Sequence, residues 1–189
     1  MAQVTSAPAA VRQDGLSLPG ALAALLRNDV RLIGRNSFLS GLAFYILILA
    51  VVLRFGLPAL AESLAANPDI PFNISEYYPM LIGYMAIFAG ALVGGMMVGF
   101  IVLDERDDNT IKALLVTPLP LNTYIAYRIL IPMVIAFVVV LTEMLIINIA
   151  LPPLWQLVVI VAAGSLTAPM VMLFFGTMAQ NKVQGFAMN

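Results

Sequence analysis

Four long apolar stretches, 39–53, 80–103, 129–151 and 155–178, free of charge except for Glu143, restrict this chain to very few folds. A soluble helix buries one stripe and wets the other, whereas a helix crossing about 30 Å of hydrocarbon needs about 20 apolar residues in succession. The first stretch is the shortest. Phe38 ahead of it and Phe55, Gly56 and Leu57 behind it lengthen it, and the Arg54 between them can snorkel to the interface. The sequence therefore predicts an all-α integral membrane protein with spans near 38–57, 79–103, 127–151 and 154–178. Composition agrees: 62% of residues are hydrophobic and 10% charged, where soluble domains carry roughly 25% charged residues.

The same composition excludes several kinds of chemistry. With no Cys and no His, the chain lacks disulfides, thiolate nucleophiles, imidazole bases and most transition-metal ligands, so no catalytic residue and no metal site is expected. Its formal net charge of -1 gives no electrostatic reason for a nucleic-acid partner. No phosphate loop of the G-x-x-x-x-G-K-[ST] kind is present, since glycine precedes neither Lys112 nor Lys182. Any ATP hydrolysis must come from another chain.

Basic residues set the expected orientation, because short loops rich in Lys and Arg stay in the cytoplasm. Arg12, Arg27, Arg31, Arg35, Arg106, Lys112, Arg128 and Lys182 fall before the first span, between the second and third, or after the fourth. The loop between the first two spans carries Glu62, Asp69 and Glu76 instead. Both termini are thus expected in the cytoplasm of a plasma-membrane protein. Residues 1–17 lack the apolar core of a signal peptide and read as a mobile cytoplasmic tail. Spans three and four are joined only by a turn around Pro152 and Pro153, which makes them antiparallel neighbours. Residues 38–189 would form one transmembrane domain.

Ahead of the first span, 18–37 reads as an amphipathic helix. Leu18, Leu22, Leu25, Leu26 and Ile33 share a face, and Arg27, Arg31 and Arg35 line the other. Such a helix lies in the membrane surface, either as a plain anchor or as an elbow that clasps the bundle. Asp29 is the exception, since it projects onto the apolar face.

The cytoplasmic loop 104–126 is the most informative segment. An acidic approach, Asp104-Glu105-Arg106-Asp107-Asp108, leads to Asn109 and Thr110, which can cap a short helix that Pro118 and Pro120 end about two turns later. Its apolar residues Ile111, Leu114, Leu115 and Val116 suit docking into a groove on another protein or packing back on the bundle. The pattern resembles Glu-Arg-x-x-Gly-Thr-x-x-x-Leu-Leu-x-Thr-Pro of the type-2 ATP-binding-cassette (ABC) permeases. Glu105, Arg106, Thr110, Leu114, Leu115, Thr117 and Pro118 match it, with Asn109 replacing the usual Gly. Residues 25–32 resemble that family's elbow helix, and 181–187 a segment leading into its fifth span.

The resemblance implies the first four helices of a six-helix permease of a drug-efflux branch, and hence a C-terminally truncated chain. It also implies a cytoplasmic ATPase subunit that binds ATP and Mg, contacted through Glu105, Arg106, Thr110, Ile111, Leu114, Leu115, Thr117 and Pro118. A second permease, identical or not, completes the machine. Its cargo would be a drug, lipid or glycan.

Two features lie within the spans. Glu143 is either a proton or cation site on the translocation path or a neutral carboxyl near the outer end of span three, paired with Asn148 or Arg54. Gly90 and Gly94 form one small-xxx-small pair and Gly95 and Gly99 a second, so two faces of span two permit close helix approach. Pro132 and Pro169 mark sites of kinking. The alternatives to an ABC permease are a gradient-driven small transporter or channel using Glu143, and an inactive structural fragment.

Overall fold

The computed structural model describes residues 18–67, 73–107 and 120–178. Within them the chain is helical, with four helices long and apolar enough to cross a membrane, as the apolar stretches require. Helix α1 covers Leu18–Arg35, α2 Ser37–Ala65, α3 Tyr78–Asp107 and α4 Leu121–Ile147. The last crossing is made by α5, Leu154–Ser165, followed by α6, Ala168–Met178. A single 3-10 turn, Ile74–Tyr77, leads into α3. The expected tail 1–17, the middle of the expected coupling loop (108–119) and residues 179–189 lie outside the described residues.

Helix α3 is the axle of the bundle. Its apolar window is 78% buried, against 22% for α2, 28% for α4 and 33% for α5–α6, so the other helices surround it and turn their remaining faces outward. Those outward faces carry Phe44, Ile48, Val52, Val138, Val159 and Phe174, all more than half exposed. Apolar surface on that scale, on helices long enough to span, is a surface for lipid or for partner helices within it. The chain is a multi-pass membrane protein.

The glycines of α3 explain the close packing. Gly90 and Gly94 lie against α4, where a Cβ on Gly94 would fall 2.9 Å from the Pro132 carbonyl oxygen and one on Gly90 would overlap Val140. Gly95 and Gly99 face α6, with the Ala168 carbonyl oxygen only 2.6 Å from a Cβ built on Gly95. Around these contacts Phe100 stacks edge-on against Phe38 at 5.0 Å and lies 6.4 Å from Phe175, tying α2, α3 and α6 together.

Two helix ends depart from the hydrophobic runs. Helix α2 continues through Pro58 to Ala65 instead of stopping near 57, because 59–66 is rich in Ala and Leu, and helix propensity continues beyond the point where the apolar run ends. The run 155–178 is divided at Leu166–Thr167. Pro169, which has no N–H to donate to the preceding turn, starts the new helix as its second residue. Pro132, by contrast, sits inside an unbroken α4.

The helices alternate in direction. Arg35, Asp107 and Leu121 share the basic end of the bundle, and the 3-10 turn and Pro152 share the opposite end. There the Tyr78 hydroxyl donates to the Leu57 carbonyl at 3.0 Å, and Arg54 Nη1 donates to the carbonyls of Ile146 (2.5 Å) and Ile147 (3.4 Å).

Candidate functional site

At the basic end, α1 is built to pack. Leu22, Leu25, Leu32 and Ile33 lie half-buried against α2, α3 and α4, and the exposed Arg27, Arg31 and Arg35 point away. Asn36 closes the joint with α2, its Oδ1 accepting from the amides of Phe38 (3.0 Å) and Leu39 (3.4 Å). Asp29 sits in the middle of the packed stripe, 2% exposed. Its anomalous place on the apolar face is explained by what it meets.

That partner is Arg128, in the second turn of α4 and 4% exposed. Spacing on a helix puts Tyr124, Tyr127 and Arg128 on one face, and this face meets both α1 and the last turns of α3. Arg128 Nη1 donates to Asp29 Oδ2 at 2.8 Å, and Nη2 donates to Glu105 Oε1 in a very short contact. Its Nε donates to the Tyr124 hydroxyl at 3.3 Å. The tyrosines serve the acids as well: Tyr127 donates to Asp29 Oδ2 at 2.8 Å and Tyr124 to Glu105 Oε2 at 2.6 Å. Both rings also flank the guanidinium, with centroids 5.5 and 5.6 Å from Cζ.

Two carboxylates and one guanidinium thus occupy a dry pocket where three helices converge. Among the described residues the site holds no nucleophile–base pair. Its effect is mechanical: removal of one member of a buried ion cluster strands the others, at a cost of about 3–5 kcal/mol, so α1, α3 and α4 have one low-energy alignment here. The formal balance is one positive against two negative groups, and Asp29 Oδ1 has no hydrogen-bond partner among the described residues.

Of the residues singled out from sequence, Glu105 is in this cluster, while Arg106, next to it, is exposed. Thr110, Ile111, Leu114, Leu115, Thr117 and Pro118 lie outside the described residues. Arg27, Arg31 and Arg35 take no part. Sequence reasoning missed Arg128, Tyr124 and Tyr127 as site residues. The available signal was Asp29: a charge on an apolar helical face requires a buried counter-charge.

Glu143 lies in another part of the bundle. It is 0% exposed on the face of α4 that meets α3, and neither carboxyl oxygen has a hydrogen-bond partner among the described residues. The expected pairing with Asn148 or Arg54 is not formed. Asn148 instead ends α4 in the left-handed conformation (φ 48), and Arg54 is engaged by carbonyls of the last turn of α4, where unpaired oxygens and the helix dipole attract a cation.

Residues 29–189 match the family described as Fluoroquinolones export permease protein Rv2686c-like. This chain belongs to that family. The matched region begins at Asp29 and includes Glu105, Arg128 and Glu143. Two similar proteins from strains of Mycobacterium tuberculosis are named Fluoroquinolones export permease protein Rv2686c and MT2760. Each is 33% identical over 174 residues, covering 92% of this chain and 68% of the relative. No solved structure matches the chain. Membership in the Rv2686c-like family makes the protein a membrane permease, a transport component by its relatives' names.

Proposed function

We propose that this chain is the membrane-spanning permease of an ATP-driven exporter of the type-2 ABC class, with its basic end in the cytoplasm of a plasma-membrane protein. Its cargo would be a drug-like amphiphile of the fluoroquinolone kind, the class in the names of its relatives. Energy would enter through a separate ATPase subunit holding ATP and Mg, and a second permease, identical or not, would complete the path.

The observation that carries this reading is the position of Glu105. It stands at the head of the Glu-Arg pattern, directly before the loop that the type-2 family uses to contact its ATPase, and it is bound to Arg128, which in turn holds Asp29 of the elbow helix. A displacement of the loop therefore acts on α1, α3 and α4 together.

The test is reconstitution of the full chain with its candidate ATPase in liposomes. Leu115→Asp, a loop substitution that changes no member of the ion cluster, should abolish permease-dependent stimulation of ATP hydrolysis while the unfolding temperature of the permease stays unchanged. Stimulation equal to wild type would remove the loop as the contact.

A further inference from the structure

We propose that α1 binds anionic phospholipid at the basic end of the bundle, with Arg27, Arg31 and Arg35 on the headgroup phosphates and Leu26 and Val30 among the acyl chains beside them. Binding of this kind is independent of the energy source and of the cargo.

Helix α1 divides into three sectors around its axis. At 3.6 residues per turn, Leu22, Leu25, Asp29, Leu32 and Ile33 fall on one side, and that side is packed on the bundle. Next to it come Leu26 and Val30, one turn apart and 49% and 60% exposed. Beyond them, facing away from the bundle, lie Arg27, Arg31 and Arg35, all exposed.

The outward charge has a single sign because of where Asp29 goes. It is the one acid in the sequence of α1, and it turns inward to Arg128. Among the described residues none of the three outward arginines forms an ion pair. The outer surface of α1 therefore presents three cations and no anion beside an uncovered apolar strip. A helix of that pattern lies in the interface, with its apolar residues at the acyl boundary and its cations level with the phosphates. Asn36 alone joins α1 to α2, the first span, which keeps α1 at the membrane boundary.

Spacing favours a lipid surface over a free anion. At 1.5 Å per residue the arginines follow one another about every 6 Å, and the stripe is about 12 Å long. Donors strung along a line do not converge on one small ion. They match a row of phosphates, each met by the paired N–H groups of its own guanidinium. An arginine close to an anionic surface is worth about five-fold in binding, so three together are worth on the order of 100-fold before salt screening. Because Asp29 ties the same helix to Arg128, bound lipid also stabilises the alignment of α1 with α4.

The experiment uses the full chain in neutral detergent, mixed with equal amounts of phosphatidylglycerol and phosphatidylcholine of the same acyl chains, and native mass spectrometry to count the lipids retained. Wild type should retain phosphatidylglycerol over phosphatidylcholine by about 10- to 100-fold, and the ratio should fall as salt rises. The combined variant Arg27→Gln, Arg31→Gln, Arg35→Gln should bring the ratio close to one while its unfolding midpoint in phosphatidylcholine matches wild type. Arg31→Gln alone should lower the ratio by about two- to five-fold, and serves where the combined variant fails to fold. Equal retention of the two lipids by wild type overturns the proposal, as does a preference that survives in the combined variant. Displacement of phosphatidylglycerol by inorganic phosphate at equal concentration would overturn it in favour of a free anion, and displacement by poly-glutamate at equal concentration would overturn it in favour of an acidic protein.

Discussion

Glu105 and Glu143 are buried to a similar degree, 6% and 0% exposed, yet their surroundings are opposites. Glu105 accepts from Arg128 and Tyr124 and lies where three helices meet. Glu143 accepts from no described residue and lies within the apolar packing of α3 against α4. Burial alone therefore does not define what an acid does in a membrane protein. The partner supplied by the fold does: a paired acid fixes an alignment, and one with no partner among the described residues fixes none.

The largest effect is expected at the paired site. Arg128→Met strands both Asp29 and Glu105 and should cost about 3–5 kcal/mol, read as a lower unfolding midpoint in detergent. Adding Asp29→Asn and Glu105→Gln to the same variant should restore most of it. A midpoint unmoved by Arg128→Met would abolish the contrast between the two glutamates. Next comes Gly95→Val, whose new carbons collide with the Ala168 carbonyl oxygen and Val171 of α6. It should cost about 1–3 kcal/mol by overpacking, measured as the same midpoint. Smaller again is Arg54→Gln, which frees the last carbonyls of α4 and should cost about 1 kcal/mol. The smallest loss belongs to Glu143→Gln, which removes no hydrogen bond to a described residue and should lower the midpoint by less than Arg54→Gln does. A loss as large as that of Arg128→Met would mean that Glu143 has a structural partner after all.

The spans were legible because lipid imposes a simple rule on composition, and the two small-residue pairs were legible because helical spacing puts Gly90 with Gly94 and Gly95 with Gly99. The interruption at Leu166–Thr167 was less so. The stretch 155–178 is apolar throughout, and Pro169 signals a disturbed ladder without saying whether the helix bends, as it can, or ends and restarts. The ion cluster was half legible. Asp29 showed that a buried cation was needed, but Arg128 is 99 residues away, and nothing local to either residue names the other. Glu143 was visible as an acid within a span. Its lack of partners was not, because that depends on Arg54 finding the carbonyls of α4 first.

The ion cluster also has a consequence for how the bundle can move. A helix sliding by one turn advances about 5.4 Å, which would carry Arg128 out of reach of both acids, so axial translation at the basic end is forbidden by charge. Tilting about the cluster keeps every contact. From Arg128 to Ile147 at the end of α4 is about 28 Å at 1.5 Å per residue, and a tilt of about 10° would displace that end by about 5 Å. The cluster thus serves as a fulcrum, and the smallest rotation there is magnified toward the opposite end of the bundle.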